Sequence, residues 1–376
     1  MPDFVLAVIV MALVFQYING FHDTANSIAT VVATKVLSPM QAVGLAAGTN
    51  LIGAMWGTAV AKTIASGLLD THVVDVSAPL LLCALTGAIV WNLITWAMGL
   101  PSSSSHGLIG GLCGAAVAAA HGNWAAILWS EPAHPWFKGN GVYWKVILPM
   151  VTSPVLGFVG AFLLLAVLYA IIVAISRAGG PLARLARPRW VNAFFKKAQL
   201  ASAGFMGFAH GSNDAQKTMG IIALALVSAA KAGHLEGLPH WLNFVRPSVG
   251  AMTHGDIDLW IEVSGALVMA AGTAAGGWRI IKTMGHKMVK LQPIDGFAAE
   301  TAAATVITLA SSLGIPVSTT HNISGSIMGV GTAKNPHAVK WGVVERIIWA
   351  WILTLPAAGG LAWLLVHAMQ ASGWYH

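Results

Sequence analysis

The chain has 376 residues, of which 56% are hydrophobic and only 9% are charged, and its formal net charge is +7. Charged residues make up about a quarter of an ordinary soluble domain, so this composition excludes a soluble globular protein and predicts an all-α polytopic membrane protein. Six basic residues and no acidic one lie in the stretch 177–197. That pattern is typical of a cytoplasmic loop rather than of a nucleic-acid-binding surface.

Ten apolar segments follow one another along the chain. They lie near 4–34, 39–65, 78–98, 101–121, 143–175, 198–230, 259–283, 296–312, 317–332 and 343–368. At about 20 residues for each crossing, they predict about 10–12 membrane segments. In each half a proline separates the third segment from the fourth, which predicts two Pro-broken helical hairpins that either cross fully or are re-entrant.

The two halves are predicted to be copies of one design with opposite orientation. Each half has an odd number of crossings whichever way its hairpin is arranged, so the second copy is inverted relative to the first. We assign the first repeat to residues 1–176, a basic cytoplasmic linker to 177–197 and the second repeat to 198–376. The bias of basic residues toward the cytoplasm then places both termini outside.

A polar motif interrupts the first apolar segment at residues 20–28 and recurs in the second half at 211–219. A single helix over 4–34 would be about 46 Å long, which exceeds a hydrocarbon core of about 30 Å. We therefore predict discontinuous helices, with breaks at Asn19-Gly20 and at Gly211. The free N–H groups of a broken helix at mid-membrane favour an anion as the ligand.

Each copy of this motif has one carboxylate, Asp23 in the first and Asp214 in the second. Three residues later comes a polar side chain on the same helix face, Asn26 or Lys217. In a purely structural interpretation Lys217 neutralises Asp214, and Asp23 is neutral or hydrogen-bonded. Carboxylates within a membrane are costly and usually functional. Because they repel anions, they imply a co-ion, either a proton or a metal ion, beside the substrate.

The second limb of each hairpin opens with a proline and a run of hydroxyl side chains that ends in histidine, at residues 101–106 and 316–321. Hydroxyl groups at the start of a helix place O–H and N–H donors together, which suits a tetrahedral oxyanion. They also suit helix capping, but the recurrence of the run in both halves favours substrate contact. A serine nucleophile is poorly supported, because no third group is evident to orient His106 or His321.

A lone carboxylate, Glu300, lies in an apolar hairpin limb, where it suits a proton or cation site or a neutral hydrogen-bonded side chain. The predicted coupling-ion residues are His22, Asp23, Asp214 and Glu300. The predicted substrate-binding residues are Asp23, Asn26, Ser103, Ser104, Ser105, Asn213, Asp214, Lys217, Ser318, Thr319 and Thr320. No resident metal site is assigned.

These motifs, in this order, resemble the inorganic phosphate transporter family, PiT, and look closest to its bacterial low-affinity Pit branch. The resemblance rests on residues 20–27 and 210–217 and on the two proline-hydroxyl-histidine runs, and it covers nearly the whole chain. It implies a transporter, not an enzyme, which imports inorganic phosphate across the bacterial inner membrane, often as a divalent metal-phosphate complex. It also implies that the phosphate and cation sites include Asp23, Asn26, Asp214 and the two hydroxyl runs.

Two departures from the family pattern favour protons as the coupling ion. The first copy has His22 where many members have asparagine, and the second has Lys217 where the first has Asn26. Each change removes an amide oxygen, and sodium needs oxygen ligands, whereas histidine titrates near neutral pH.

Several alternatives stay open at this point: sodium coupling, another tetrahedral oxyanion, a passive channel, and a membrane-embedded hydrolase built on Ser104 and His106. The expected partners are phosphate, protons or sodium, the lipid bilayer and a second copy in a homodimer. No cofactor is expected apart from a divalent metal ion carried with phosphate.

Overall fold

The computed structural model describes residues 2–135 and 139–374. Across these residues the secondary structure is helical, and strand pairing is limited to isolated bridges of Leu69 with Ile127 and of Glu131 with Asn140. The predicted all-α class is therefore confirmed. The α-helices are α1 (Pro2–Ala33), α2 (Pro39–Ala54), α3 (Ala59–Ser66), α4 (Ala78–Met98), α5 (Ser104–Ala119), α6 (Leu148–Arg177), α7 (Gly180–Ala183), α8 (Pro188–Lys231), α9 (Val249–His254), α10 (Leu259–Ala275), α11 (Trp278–Lys282), α12 (Pro293–Ser312), α13 (Thr319–Lys334) and α14 (Trp341–Ala371).

Four of the described helices are long and apolar enough to cross a membrane: Phe4–Ala33, Ala78–Met98, Tyr143–Arg177 and Trp341–Ala371. Two pairs of helices are bent by 70° at the α2–α3 junction and by 112° before α10, and the number rises to six if each bent pair is one span. α5 and α13 have only 16 residues each, and α8 contains Asp214 and Lys217. The number of spanning helices is lower than the predicted 10–12 because these helices are too short or too polar to be counted by length and composition. The predicted number of about 10–12 membrane segments stays a prediction.

α1 and α8 are continuous helices, so the predicted breaks at Asn19-Gly20 and at Gly211 are wrong. These glycines permit close packing of helices instead. A Cβ atom on Gly20 would lie 2.5 Å from the carbonyl oxygen of Met269 in α10. One on Gly211 would lie 2.3 Å from the carbonyl oxygen of Asn50 in α2. Because the main-chain N–H groups at these positions are used within the helices, an anion site at a helix break is not formed there.

The two hairpins consist of α4 with α5 and of α12 with α13, as the prolines predict. The glycine that follows each first limb, Gly99 or Gly314, has a φ of 66°, in the left-handed region that favours glycine. Ser103 caps α5 by accepting the main-chain N–H of His106 at 3.2 Å. Ser318 caps α13 in the same way, also at 3.2 Å.

Each half packs closely on the other. α5 packs on α14 and α13 packs on α6, so the second limb of each hairpin lies against the last helix of the opposite half. In the same way α1 packs on α10 and α8 packs on α2. This pairing pattern is unchanged when the two halves are exchanged. It brings the starts of α5 and α13 to the middle of α1 and α8, where the polar motifs lie.

Candidate functional site

The polar motifs of the two halves meet at one buried site. Asp23 on α1 and Asp214 on α8 are 2% and 0% exposed. With His210 they form a group in which one oxygen or ring nitrogen atom from each residue lies within 4.8 Å of the others. The first turns of α5 and α13 complete the site, since Ser105 and Thr319 both donate hydrogen bonds to Asp214.

Asp214 is held by four side chains. Thr319 donates to its Oδ2 at 2.7 Å, and Ser105 donates to its Oδ1 at 3.5 Å. Nε2 of His210, one turn earlier on α8, lies 3.0 Å from Oδ2. Lys217 forms a close ion pair with Oδ1. Lys217 therefore pairs with Asp214, as the purely structural interpretation expects. That interpretation does not include the contacts from Thr319, Ser105 and His210.

Lys217 uses all three of its N–H donors within the protein. Its ammonium group donates to Asp214, to Oγ of Ser105 at 2.5 Å and to the main-chain oxygen of Val317 at 2.8 Å. An ammonium group has three N–H donors and no more. In this conformation Lys217 has no N–H donor left for another ligand.

Asp23 has a different set of partners. Its Oδ1 lies 2.6 Å from Nδ1 of His22 and accepts a hydrogen bond from Thr320 at 3.5 Å. The other ring nitrogen of His22 lies 3.2 Å from Oγ1 of Thr95 and 3.4 Å from Oγ of Ser102. Within residues 2–135 and 139–374, no lysine or arginine forms an ion pair with Asp23. The two carboxylates therefore differ in how their charge is balanced.

Among the buried polar atoms that have no hydrogen-bond partner in the described chain, Oγ of Ser104 and Oδ1 of Asn26 belong to residues beside these contacts. The amide nitrogen of Asn26 donates to Oγ1 of Thr319 at 3.1 Å and to Oγ1 of Thr320 at 3.0 Å. A buried polar atom left without a partner costs about 1–3 kcal/mol. These two atoms are therefore natural contacts for a bound ligand.

The hydroxyl runs divide into two roles. Ser103 and Ser318 cap α5 and α13, as the structural interpretation of the runs expects. Three later hydroxyl groups contact the carboxylates instead, those of Ser105, Thr319 and Thr320. Capping and site contacts thus come from successive residues of the same run.

His106 and His321 pack on each other instead of activating a serine. Their ring centroids are 4.7 Å apart, and the ring of His321 stacks on Trp351 at 4.1 Å. Nδ1 of His106 and Oγ of Ser104 both lack a hydrogen-bond partner among the described residues. Since Ser104 has no base beside it, the geometry gives no support to a membrane-embedded hydrolase.

Asn213 lies outside this group although it precedes Asp214 in the sequence. Its amide nitrogen donates to Oγ of Ser311 at 2.8 Å and to the main-chain oxygen of Ile315 at 3.4 Å. Successive residues of a helix are about 100° apart around its axis, so Asn213 faces the bend between α12 and α13. The structure does not bring it together with the other predicted substrate-binding residues.

Glu300 belongs to a second buried site. It accepts hydrogen bonds from Thr30, from Ser202 and from Nε2 of Gln199, the last at 3.1 Å. Thr30 lies two turns after Asp23 on α1, about 10 Å along the helix axis. Glu300 is 0% exposed, and the described residues place no lysine, arginine or histidine in an ion pair with it. This carboxylate is thus held by neutral donors from α1 and α8.

His210 contacts Asp214 in the central site but was not among the residues predicted from the sequence. Its Nδ1 lies 3.0 Å from Oδ1 of Asn50, and its Nε2 faces Asp214. The i, i+4 spacing of His210 and Asp214 was the available signal, because such residues share a helix face. Thr95 and Ser102 beside His22 were also missed, and no spacing along the chain points to Thr95.

The chain is similar to known proteins over most of its length. Residues 19–362 match the model of the phosphate transporter family. The chain belongs to this family. A probable low-affinity inorganic phosphate transporter of Bacillus subtilis is 39% identical over 96% of this chain and 97% of its own. Those of Rhizobium meliloti and Mycobacterium tuberculosis (strain H37Rv) are each 41% identical over 94% of this chain, and over 92% and 75% of their own.

The fold is also shared with a solved structure, that of "the sodium-dependent phosphate transporter". The two chains are 24% identical, with a TM-score of 0.78 over 98% of this chain and 99% of the other. Family membership confirms the resemblance to phosphate transporters found in the sequence. It also confirms that the protein is a membrane transporter for phosphate rather than an enzyme.

Proposed function

We propose that this phosphate transporter imports inorganic phosphate by secondary active transport, with protons as the coupling ion. The observation that carries the proposal is the buried site at which Asp23, Asp214 and the starts of α5 and α13 meet. Carboxylates at the meeting point of two halves suit alternating access, because either half can move around the site. Relatives named as low-affinity inorganic phosphate transporters support the choice of substrate.

Phosphate is proposed to bind between the first turns of α5 and α13. Each of these helices has 16 residues, and its N-terminus presents N–H groups and a positive dipole end to an anion. The unpartnered hydroxyl group of Ser104 is the side-chain donor available in this conformation. The hydroxyl groups of Ser105, Thr319 and Thr320 donate to the carboxylates here, so they can donate to phosphate only after they turn away from Asp23 and Asp214. Phosphate beside Asp23 and Asp214 needs a cation between them, because like charges repel.

A divalent metal ion carried with phosphate is one cation that suits this position. Asp23, His210 and Asp214 each offer a ligand atom in the same 4.8 Å group. Carboxylate and phosphate oxygens together are the ligands that Mg²⁺ commonly has at phosphate sites. The metal ion is then part of the cargo rather than a resident cofactor.

Glu300 is the proposed coupling residue at the second site. A buried carboxylate whose partners are all neutral is a binding site for a proton or a cation. Sodium is the second candidate ion, because the solved structure with the same fold is named for a sodium-dependent phosphate transporter.

Uptake of radiolabelled phosphate into proteoliposomes separates the two ions. In sodium-free medium an inward proton gradient is expected to drive uptake, and a protonophore is expected to stop it. Glu300→Gln is expected to lose gradient-driven uptake but to retain phosphate exchange at equilibrium, because glutamine keeps hydrogen-bonding atoms but cannot bind and release a proton. Uptake that needs sodium and ignores the protonophore would overturn proton coupling while leaving phosphate as the substrate.

Ser104→Ala is expected to raise the phosphate concentration for half-maximal uptake by about tenfold, because a hydrogen bond to a charged group contributes about 1.5–3 kcal/mol. Its melting temperature should not fall, since Oγ of Ser104 has no partner in the described chain to lose. The matched control is Ser103→Ala, which should lower stability by about 0.5–2 kcal/mol through loss of the helix cap. If Ser104→Ala melts earlier but keeps its half-maximal concentration, Ser104 has only a structural role.

In the proposed topology the repeats 1–176 and 198–376 are inverted in the bacterial inner membrane, with both termini outside and the stretch 177–197 in the cytoplasm. Thr71, between α3 and α4, and Asn192, near the start of α8, are both exposed. In a chain lacking Cys83 and Cys113, a cysteine in place of Thr71 should react with an impermeant reagent from outside. A cysteine in place of Asn192 should react only from the cytoplasmic side, and labelling of both from one side would refute the topology.

A homodimer stays a prediction. α6 presents an apolar outer face in which Val155, Leu163 and Val167 are each more than half exposed. Such a face suits lipid as well as a second copy. Cross-linking in native membranes tests whether a second copy covers it.

A further inference from the structure

The ammonium group of Lys217 lies in a complete set of oxygen atoms. Its three acceptors are a carboxylate oxygen of Asp214, the hydroxyl oxygen of Ser105 and the main-chain oxygen of Val317. They come from α8, from α5 and from the bend that precedes α13. Carboxylate, hydroxyl and carbonyl oxygens are also the ligands that hard metal cations take in proteins. The ammonium group therefore occupies a position whose oxygen atoms would suit a free metal cation.

The equivalent residue of the first copy leaves an oxygen atom free. Asn26 and Lys217 each follow the carboxylate of their motif by three residues. Oδ1 of Asn26 is buried and has no partner in the described chain, whereas every donor of Lys217 is engaged. One copy thus offers a ligand to a mobile ion where the other supplies a fixed positive charge.

The hydrogen bonds fix which end of the Asn26 amide is free. Oγ1 of Thr319 donates its single proton to Asp214 at 2.7 Å, so it can only accept from Asn26. The amide nitrogen must therefore face Thr319, and the oxygen faces the other way. The free oxygen at this position follows from the network rather than from an arbitrary choice of amide orientation.

We infer that Lys217 is a tethered cation, which permanently fills the cation position at Oδ1 of Asp214 and so replaces one mobile coupling ion. Phosphate is then carried with one mobile cation fewer in each cycle than by a relative with an amide at both positions. Lys217 also fixes ion choice, because sodium cannot enter a place held by a covalently attached ammonium group. The inference rests on the proposed function, namely that phosphate movement is coupled to a cation at this site.

Lys217→Asn tests the inference, because it gives the second copy the residue of the first. In purified protein sodium is expected to raise the melting temperature of Lys217→Asn, since an ion that binds only the folded state stabilises it. In proteoliposomes sodium should stimulate phosphate uptake by this variant by about tenfold, within the usual range of coupling between two ligands. The matched control is Lys217→Met, which fills similar space without charge or oxygen, and sodium should have no effect on it or on the wild type.

Equal responses of wild type, Lys217→Asn and Lys217→Met to sodium would overturn the inference, because a purely structural lysine predicts that both variants fail alike. Lys217→Gln is a second variant with the same amide on a longer side chain. If neither amide variant can be recovered folded in sodium-containing buffer, sodium does not replace the ammonium group, and the inference is wrong. Absence of phosphate uptake by the wild type would instead overturn the proposed function, while the melting temperatures of the variants still report on the cation position.

Discussion

Asp23→Asn is expected to lower the initial rate of phosphate uptake about 100-fold or more while the protein stays folded in the membrane. Asparagine keeps the size of the side chain and one oxygen, but it removes the charge that a cation beside phosphate needs. Losing one charge of a buried pair costs about 2–5 kcal/mol, and each 1.4 kcal/mol is about a factor of ten. Uptake into proteoliposomes, normalised to inserted protein, measures the loss.

Asp214→Asn should abolish uptake as well, but it should also lower the melting temperature. Lys217 would then keep a buried charge without its carboxylate, and breaking such a pair costs about 3–5 kcal/mol. Asp256→Asn is the control, because Asp256 is exposed and pairs with Lys62 at 2.7 Å. The hydrogen bond from Lys62, aided by its charge, holds the pKa of Asp256 below its ordinary value. Uptake near the wild-type rate by both Asp23→Asn and Asp214→Asn would refute the assignment of the central site.

Gly211→Ala is expected to destabilise the protein by about 1–3 kcal/mol or more, the usual range for overpacking a buried contact. The new Cβ atom would lie 2.3 Å from the main-chain oxygen of Asn50, and a main-chain atom cannot move aside as a flexible side chain can. α2 and α8 would have to separate next to Asp214, so uptake should fall with stability. Thermal unfolding in detergent and uptake at a permissive temperature measure the two effects.

The matched control is Gly204→Ala, two turns earlier on α8. A Cβ atom on Gly204 would lie 3.7 Å from Cγ2 of Thr49, which is an ordinary contact. Alanine favours a helix over glycine by about 0.5–1 kcal/mol, so this variant should be as stable as the wild type or more so. Equal melting temperatures for Gly211→Ala and Gly204→Ala would show that close approach of α2 to α8 does not constrain residue 211.

The two hairpins and the buried carboxylates could be predicted from the sequence because each occurs in both halves. A proline followed by hydroxyl residues at the start of an apolar segment has few structural meanings, and α5 and α13 begin at Ser104 and Thr319 as this pattern indicates. Carboxylates at Asp23 and Asp214 are costly in a membrane, so their burial at one site follows from the same physics.

The helix breaks at Gly20 and Gly211 could not be predicted correctly, because glycine has two uses that look alike in a sequence. It permits an unusual main-chain conformation, and it also permits two helices to approach closely. Only the positions of α10 and α2 show that the second use applies here. The length of α1 also favoured a break in the prediction. A long helix can stay continuous, however, because it can extend beyond the apolar core or tilt within it.

The surroundings of Glu300 could not be predicted for a different reason. Its partners Thr30, Gln199 and Ser202 lie 270, 101 and 98 residues away in the sequence. No periodic pattern along one chain connects such distant positions. The ion pair of Asp214 with Lys217, by contrast, could be given as the structural interpretation from the sequence, because both residues lie on one helix face.

An experimental structure of the transporter with phosphate bound tests most directly whether the buried site between the two halves is the substrate site. Phosphate is expected between the first turns of α5 and α13, with oxygen atoms about 2.5–3.2 Å from Oγ of Ser104 and from Oγ1 of Thr320. A cation should lie between phosphate and Asp23, and the ammonium group of Lys217 should remain with Asp214. Phosphate bound elsewhere, with no contact to Ser104 or to the cation beside Asp23, would contradict this placement of the substrate site.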